Sequence, residues 1–481
     1  KGDTAIPHVV DAIQSSSSSI GSLLYSETSK AAGDRYKLAK EHHDNKKQYT
    51  TCGDVTQQDG HGISVAPVTL ANIYDYPENL GKGNVIAILS DGSAGDAAYS
   101  EKALNTFVQS QYHTQNIPNI KLTKHHQQNE ANGEADLDLS IIASIAPNAD
   151  IIMIAAKDTS EDHYNLYDIF EEAIHYGRND QKEQKPVNII SSSYYDPMFF
   201  LDNWDQWPEK PPKINTKRLH RFELLMEDAA LRNITVVSAS GDSGSAGINR
   251  SGKLGYVPAT SAPYMLSVGG TSFSDALIEA LNNQESVKTL RHVFRTHQNE
   301  VWNENYCDKI DNTIDGSYSF ESNQSSSGGV TLGYQKPFYQ DYPNINQGPY
   351  RSYPDISMLA GGSAYFQILS SISGGTSASA PLIAGLIARI NTEIQQKEMK
   401  KPFSIGFINP IIYQAYNQAE EQKAIFVDTQ LGHNCQLWDG EHSQCFNWKT
   451  KPHEASSGYD LATGLGEVNG KALYQYVKKQ L

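Results

Sequence analysis

Cysteine is scarce in this chain, with four among 481 residues, which excludes a small scaffold stapled by disulfides. Basic residues are also short: 39 Lys and Arg stand against 55 Asp and Glu, for a formal net charge of -16. Phosphate contacts need clustered Lys and Arg, so no nucleic-acid partner is expected. No apolar run approaches the length that crosses a bilayer. The strongest, Pro381–Ile390 and Ile151–Ala156, have the length of a core helix and a core strand, and no membrane insertion is expected. The close Cys/His pairs that zinc prefers are missing, as is any solenoid-type repeat. The chain opens Lys1-Gly2-Asp3-Thr4 without an initiator Met or an apolar leader, and is expected to be a processing product.

What is present suits a globular protein, since 38% hydrophobic residues over this length can fill one large core or two smaller ones. Residues 1–62 carry the run Ser15–Ser19, the basic-polar patch Lys37–Lys47 and little apolar periodicity, which reads as linker, partly disordered. Order is expected from about residue 63. Strand-like runs over Gly83–Leu89, Asp150–Ala156, Val187–Ser192 and Ile234–Ser240 alternate with helical patterns over Ser100–Gln111, Tyr164–Tyr176 and Thr216–Arg232. That alternation predicts an α/β fold, a mostly parallel central sheet flanked by helices, with its chemistry beyond the carboxyl ends of the strands. A polar segment from Phe273 to Gly329 reads as a surface insertion.

The segment Ser373-Gly-Gly-Thr-Ser377-Ala-Ser-Ala-Pro381 runs straight into an apolar helix. A turn of small residues thus sets Ser377 at a helix start, where its N–H and the helix dipole favour a developing negative charge. The double Gly374-Gly375 lets a substrate backbone approach closely. Taken alone, the same residues also suit a plain Ser/Thr N-cap with proline in the first turn.

Upstream, Gly133-Glu134-Ala-Asp136-Leu-Asp138 opens another apolar helix. Glu134 and Asp138 are four apart and share a face, close enough to share a proton, whereas Asp136 points elsewhere. An ordinary solvated acidic first turn is the bland alternative. The third element is an apolar strand ending in Gly241-Asp242-Ser-Gly244, with Asp242 at a strand end; Asp beside Gly is also a routine turn residue.

These motifs resemble the sedolisin family of serine-carboxyl peptidases, within the subtilisin-like clan. The likeness extends in order through Pro67–Tyr74, Gly81–Ile88, Tyr256–Pro263, Ser267–Thr271, Val301–Asn303, Ser327–Val330 and Arg351–Ser357. The resemblance implies a subtilisin-like three-layer fold with a single catalytic domain over residues 63–481. It implies Ser377 as nucleophile, Glu134 as general base, Asp138 as its orienting partner and Asp242 as an oxyanion donor that must be protonated. Acid-acting hydrolysis of peptide or protein substrates follows from that chemistry. The subtilisin branch would need a histidine base, and His125 and His126, in Lys-His-His-Gln-Gln, lack its setting. A calcium-dependent scaffold without turnover is the rival from another class.

The resemblance further implies one Ca2+ ion held by Asp428, Thr429, Ser456, Gly458 and Asp460, two as carboxylates and three through carbonyls. Ser456 stands where the family usually has Gly. Substrate is expected to bind at Ser193, Tyr194, Gly241 and Gly375; Tyr195 replaces a usual Gly and Ser90 a Glu of some relatives. Residues 1–62 become the tail of a prosegment, trimmed on activation, and a monomer in a secreted or lysosome-like acidic setting is expected. Endopeptidase action is favoured over removal of tripeptides. Cys435 and Cys445 share one polar loop and are expected to pair, while Cys52 and Cys307 stay open between a long-range bridge and buried thiols. Asn-x-Ser/Thr triplets at Asn233, Asn249 and Asn323 permit glycosylation in a eukaryotic source.

Overall fold

Val85–Ser90 (β1) runs through the middle of the molecule with every side chain buried, the signature of a strand covered on both faces. This computed structural model describes residues 50–51, 63–90, 101–112, 116–125, 133–155, 166–178, 184–194, 200–202, 213–247, 257–304, 306–309, 318–322, 324–369, 372–435 and 452–481. Besides β1, the central sheet contains Lys121–His125 (β2), Asp150–Ala155 (β3), Ile189–Ser192 (β4), Thr235–Ala239 (β5), Leu266–Ser272 (β6), Glu300–Val301 (β7) and Ile356–Leu359 (β8). Its order is β7-β6-β5-β4-β1-β3-β2, with β8 also paired to β6. Every pair is parallel except β6 with β7.

Alternation along the strands separates two cores. Ile86, Ile88, Ile151, Met153, Val237 and Val268 face one way, onto helices Gly133–Ile145 (α1) and, from near the C-terminal end, Thr376–Glu393. Val85, Ala87, Leu89, Ile152, Ile154 and Val236 face the other, onto Leu166–His175 (α2) and Thr216–Leu231 (α3). The result is the expected three-layer α/β arrangement in a single domain. Strand order reverses about β1, since the chain leaves it for β2 and β3 on one side and then crosses to β4 on the other, which opens a crevice at the carboxyl ends there.

The reading of residues 273–329 as a surface insertion is corrected. Phe273 is fully buried, Asp275–Asn282 (α4) and Val287–Thr296 (α5) pack Leu277, Ile278, Leu290 and Phe294 into the core, and β7 and Trp302 join the sheet edge. Polar composition masks apolar residues at helical spacing, which is what a half-buried helix requires.

Helix Thr376–Glu393 (α6) is buried along its whole length. It crosses α1 closely: a Cβ at Gly385 would overlap Ile145. One turn on, the buried Arg389 donates to the Ile145 carbonyl at 2.7 Å and to the Pro77 carbonyl at 3.0 Å. The last turn of α1 is thereby pinned to α6, which brings the acidic start of one helix toward the start of the other. Of residues 1–62 only Thr50–Thr51 lies within the described residues, as a strand paired with Tyr306 and Cys307. Cys52, Cys445, Tyr195, His126, Asn249 and Asn323 lie outside them.

Candidate active site

Ser377 is the second residue of α6 and is buried. The N-cap is Gly375, with no side-chain cap, so the plain Ser/Thr N-cap is not what this sequence builds. Pro381 lies inside the helix, not in its first turn. Gly375 takes φ +96, and a Cβ there would stand 2.6 Å from Asp242 Oδ2, so both the backbone angle and the space require glycine.

Asp242 follows β5, in a turn clamped from the far side. Ser325 N donates to the Asp242 carbonyl at 3.0 Å, Ser327 N to the Gly241 carbonyl at 2.8 Å, and Ser327 Oγ accepts from Ser243 N at 3.0 Å. Gly241 N in turn donates to Thr376 Oγ1 at 3.1 Å. Asp242 Oδ1 accepts the Thr376 N–H at 2.9 Å and the Thr376 hydroxyl at 2.7 Å. The carboxylate is thus fixed against the residue before Ser377, leaving Oδ2 beside Gly375.

Glu134, Asp136 and Asp138 are all buried, so the solvated acidic turn is ruled out. Their helix is apolar on every side and lies in the core, which carries its first turn inside. Asp136 turns along its own helix to accept from Ser140 Oγ at 3.5 Å. Burial, reinforced by the charge of Glu134, pushes the Asp138 carboxyl well above the usual range, and a hydrogen bond from Ser193 opposes the shift. That bond runs from Ser193 Oγ to Asp138 Oδ1 at 2.9 Å, and Asp138 Oδ2 is buried with no hydrogen-bond partner among the described residues. Ser193 Oγ also lies 3.3 Å from the carbonyl oxygen of Ser377. Ser193 and Tyr194 follow β4 at its carboxyl end, both buried. At the carboxyl end of β1, Ser90 is buried with its hydroxyl unpartnered among the described residues.

Sequence reasoning missed Thr376 as the anchor of Asp242, the Ser325–Ser327 clamp, and the part played by the Ser193 side chain. Thr376 was legible in principle, as a hydroxyl next to the serine; the clamp was not, since it lies some eighty residues away from the turn it holds.

The residues expected to hold calcium lie in the C-terminal part of the chain. Asp428 Oδ2 accepts from Gly458 N at 2.9 Å and Gln430 Nε2 at 2.8 Å. Asp460 accepts from the N–H groups of Ser456, Ala462 and Thr463 at 3.1, 2.9 and 2.8 Å. Burial pushes both carboxyls up, Asp460 to about 6. Thr429 Oγ1 is buried and unpartnered among the described residues, and Ser456 is exposed. No group of three or more His, Cys, Asp or Glu side chains suited to a metal occurs among the described residues. Two carboxylates with three carbonyls is a donor set of another kind, and hard oxygen donors of this sort suit calcium. Cys435 is buried.

No protein-family model matches the chain. It is 26% identical to kumamolisin of Bacillus sp. (strain MN-32) over 439 residues, covering 88% of this chain and 65% of that protein. It is 26% identical to tripeptidyl-peptidase 1 of Bos taurus over 285 residues (54% and 40%), and 29% identical to tripeptidyl-peptidase SED1 of Arthroderma otae over 336 residues (61% and 41%). The chain therefore spans less than two thirds of the length of these curated relatives. Among solved structures it is similar to Pseudomonas sedolisin (serine-carboxyl proteinase) complexed with two molecules of pseudo-iodotyrostatin. The TM-score is 0.60 at 19% identity, over 87% of this chain and 99% of that one. In sequence along most of its length and in its three-layer fold, this chain is similar to members of the sedolisin family.

Proposed function

We propose that this chain is an acid-acting serine-carboxyl peptidase that hydrolyses peptide bonds through an acyl-enzyme on Ser377. The observation that carries the reading is the convergence of two acidic groups on the start of α6: Asp242 bonded to Thr376, and Asp138 reaching Ser377 through Ser193. Ser377 Oγ attacks the scissile carbonyl, Glu134 takes its proton, and Asp138 holds Glu134 through a shared proton. Protonated Asp242 and the Ser377 N–H stabilise the oxyanion. Glu134 returns the proton to the leaving amine, and water then releases the acyl group by the same steps in reverse. Ser193 and Tyr194 on one side, Gly241 and Gly375 on the other, line the substrate.

Internal cleavage is the favoured mode. Removal of tripeptides is the second reading, favoured by relatives named tripeptidyl-peptidases. Digestion at acid pH of an unfolded protein, with its N-terminus blocked in one sample and free in another, separates them. Internal fragments are expected; release confined to tripeptides from free N-termini selects the second reading, and no cleavage from either substrate rejects both.

Asp428 and Asp460 side chains with the carbonyls of Thr429, Ser456 and Gly458 would hold one calcium ion. The two raised carboxyls and the loop wrapped around them fit a cation. Calcium would supply electrostatic cross-linking of residues 428–460, away from the chemistry. A Cys435–Cys445 disulfide between these calcium residues, trimming of residues 1–62, action as a monomer, and a secreted or lysosome-like setting belong to the same proposal. Among the described residues no helix is long and apolar enough to cross a membrane.

A further inference from the structure

Ser377 precedes Pro381 by four residues within α6. In an α-helix the carbonyl of residue i accepts from the N–H of residue i+4, and proline has no N–H. The helix bond that would occupy the Ser377 carbonyl therefore cannot form. A side-chain donor that reaches this carbonyl is Ser193 Oγ at 3.3 Å, the same hydroxyl that lies 2.9 Å from Asp138 Oδ1. Asp138, Ser193 and Ser377 are all buried, so bulk water does not compete.

We infer that Ser193 is a positioning residue whose single hydroxyl proton alternates between Asp138 and the main-chain carbonyl of the nucleophile, with Pro381 keeping that carbonyl available. This rests on the peptidase reading above. When Asp138 is ionised, the charge-assisted bond to the carboxylate is the stronger one and takes the proton. The Ser377 carbonyl is then left without its side-chain donor. When Asp138 is protonated, its own O–H donates to Ser193 Oγ, and Ser193 donates onward to Ser377. The chain then runs in one direction, Asp138 to Ser193 to Ser377, and each bond polarises the next.

The two states differ by the rotation of one hydroxyl, so the start of α6 is tightened or loosened without rebuilding the site. The charged group that faces Asp138 from α1 is Glu134, the group after β4 is the neutral Ser193, and the first turn of α6 (Thr376, Ser377, Ala378, Ser379) brings no titratable carboxyl or amine. The charge of Glu134 therefore sets how readily Asp138 takes up the proton that fixes the direction. Any residue other than proline at 381 would offer the carbonyl a helix N–H in competition with Ser193.

The test compares full-length parent, Ser193→Ala, Ser193→Thr and Pro381→Ala for kcat and KM on an internally quenched peptide across the acid range. Ser193→Ala is expected to lose about tenfold or more in kcat. Its acid limb should move up by about half a pH unit or more, because ionised Asp138 has lost a donor. Ser193→Thr keeps the hydroxyl and should restore both. Pro381→Ala should move the acid limb down, since Ser193 is then drawn more to Asp138. An acid limb unmoved in Ser193→Ala, no rescue by Ser193→Thr, or an unmoved limb in a folded Pro381→Ala overturns the inference. If circular dichroism finds Pro381→Ala unfolded, the two Ser193 variants decide. The underlying peptidase reading fails separately, if Ser377→Ala cleaves the peptide as fast as the parent.

Discussion

Asp242 Oδ1 accepts both the main-chain N–H of Thr376, at 2.9 Å, and its hydroxyl, at 2.7 Å. One carboxylate oxygen is thus committed as an acceptor beside the proposed nucleophile, and Oδ2 lies against Gly375, where the proposed role puts the proton. This division of labour gives the carboxyl a fixed direction before any substrate arrives, which is what an oxyanion donor needs.

Asp242→Asn tests that division. An amide keeps an oxygen for Thr376 and presents N–H donors at the second position at any pH. The variant should lose the alkaline decline in kcat/KM that the parent is expected to have, while its best rate falls by about tenfold or more. A pH profile of kcat/KM from mildly acid to neutral checks it; an alkaline limb identical to that of the parent contradicts the assignment.

Asp138→Asn should cost activity and gain stability. Burial and the charge of Glu134 hold the Asp138 carboxyl well above its usual value. A raised acid contributes its full share of stability below the unfolded value and loses it as pH rises through the folded one, so the parent is handicapped at neutral pH. The neutral amide escapes that loss. We expect a higher Tm than the parent at neutral pH, little difference in strong acid, and kcat lower by about a hundredfold or more.

Glu467 offers a stability test remote from the chemistry. It is fully buried among Tyr74, Thr271 and Asn299, which donate to it at 2.7, 2.8 and 2.6 Å, yet burial raises it from 4.5 to about 7. Stability from this group is present below about 4.5 and lost as pH rises through about 7, an amount on the order of 3 kcal/mol. Urea unfolding of parent and Glu467→Gln at acid and at neutral pH should show a smaller pH dependence in the variant. An equal pH dependence in both removes Glu467 as a source.

Calcium removal should act on stability at a pH where Asp460 is ionised. With that carboxyl at about 6, binding releases a proton and weakens as pH falls below that value. Chelation should lower Tm clearly at neutral pH and less in acid, and Asp460→Asn should abolish the difference. A Tm indifferent to chelator and to added calcium at neutral pH contradicts the proposed ion site.

The repeating strand and helix pattern made the sheet and its two flanking layers readable, because strands such as Val85–Ser90 are apolar throughout and helices such as Leu166–His175 have one apolar face. Ser377, Glu134, Asp138 and Asp242 were legible as motifs. Local sequence could not tell a solvated first turn from a buried one at Glu134; that depends on α1 crossing α6 at Gly385, a contact between residues 240 positions apart. Residues 273–329 misled because Leu277, Leu290 and Phe294 are diluted by polar neighbours that face solvent. The Ser193 link was hidden for a third reason: its partner carbonyl is released by an absent N–H at Pro381, and only the folded geometry says what fills that gap.

The most direct measurement of the central claim is the rate at which a fluorophosphonate modifies the chain at acid pH, with the labelled residue located by peptide mass. Modification confined to Ser377, and slowed by about a hundredfold or more in Glu134→Ala, is the predicted result. Equal rates in parent and variant, or a label on another residue, would contradict a nucleophile activated by buried carboxylates.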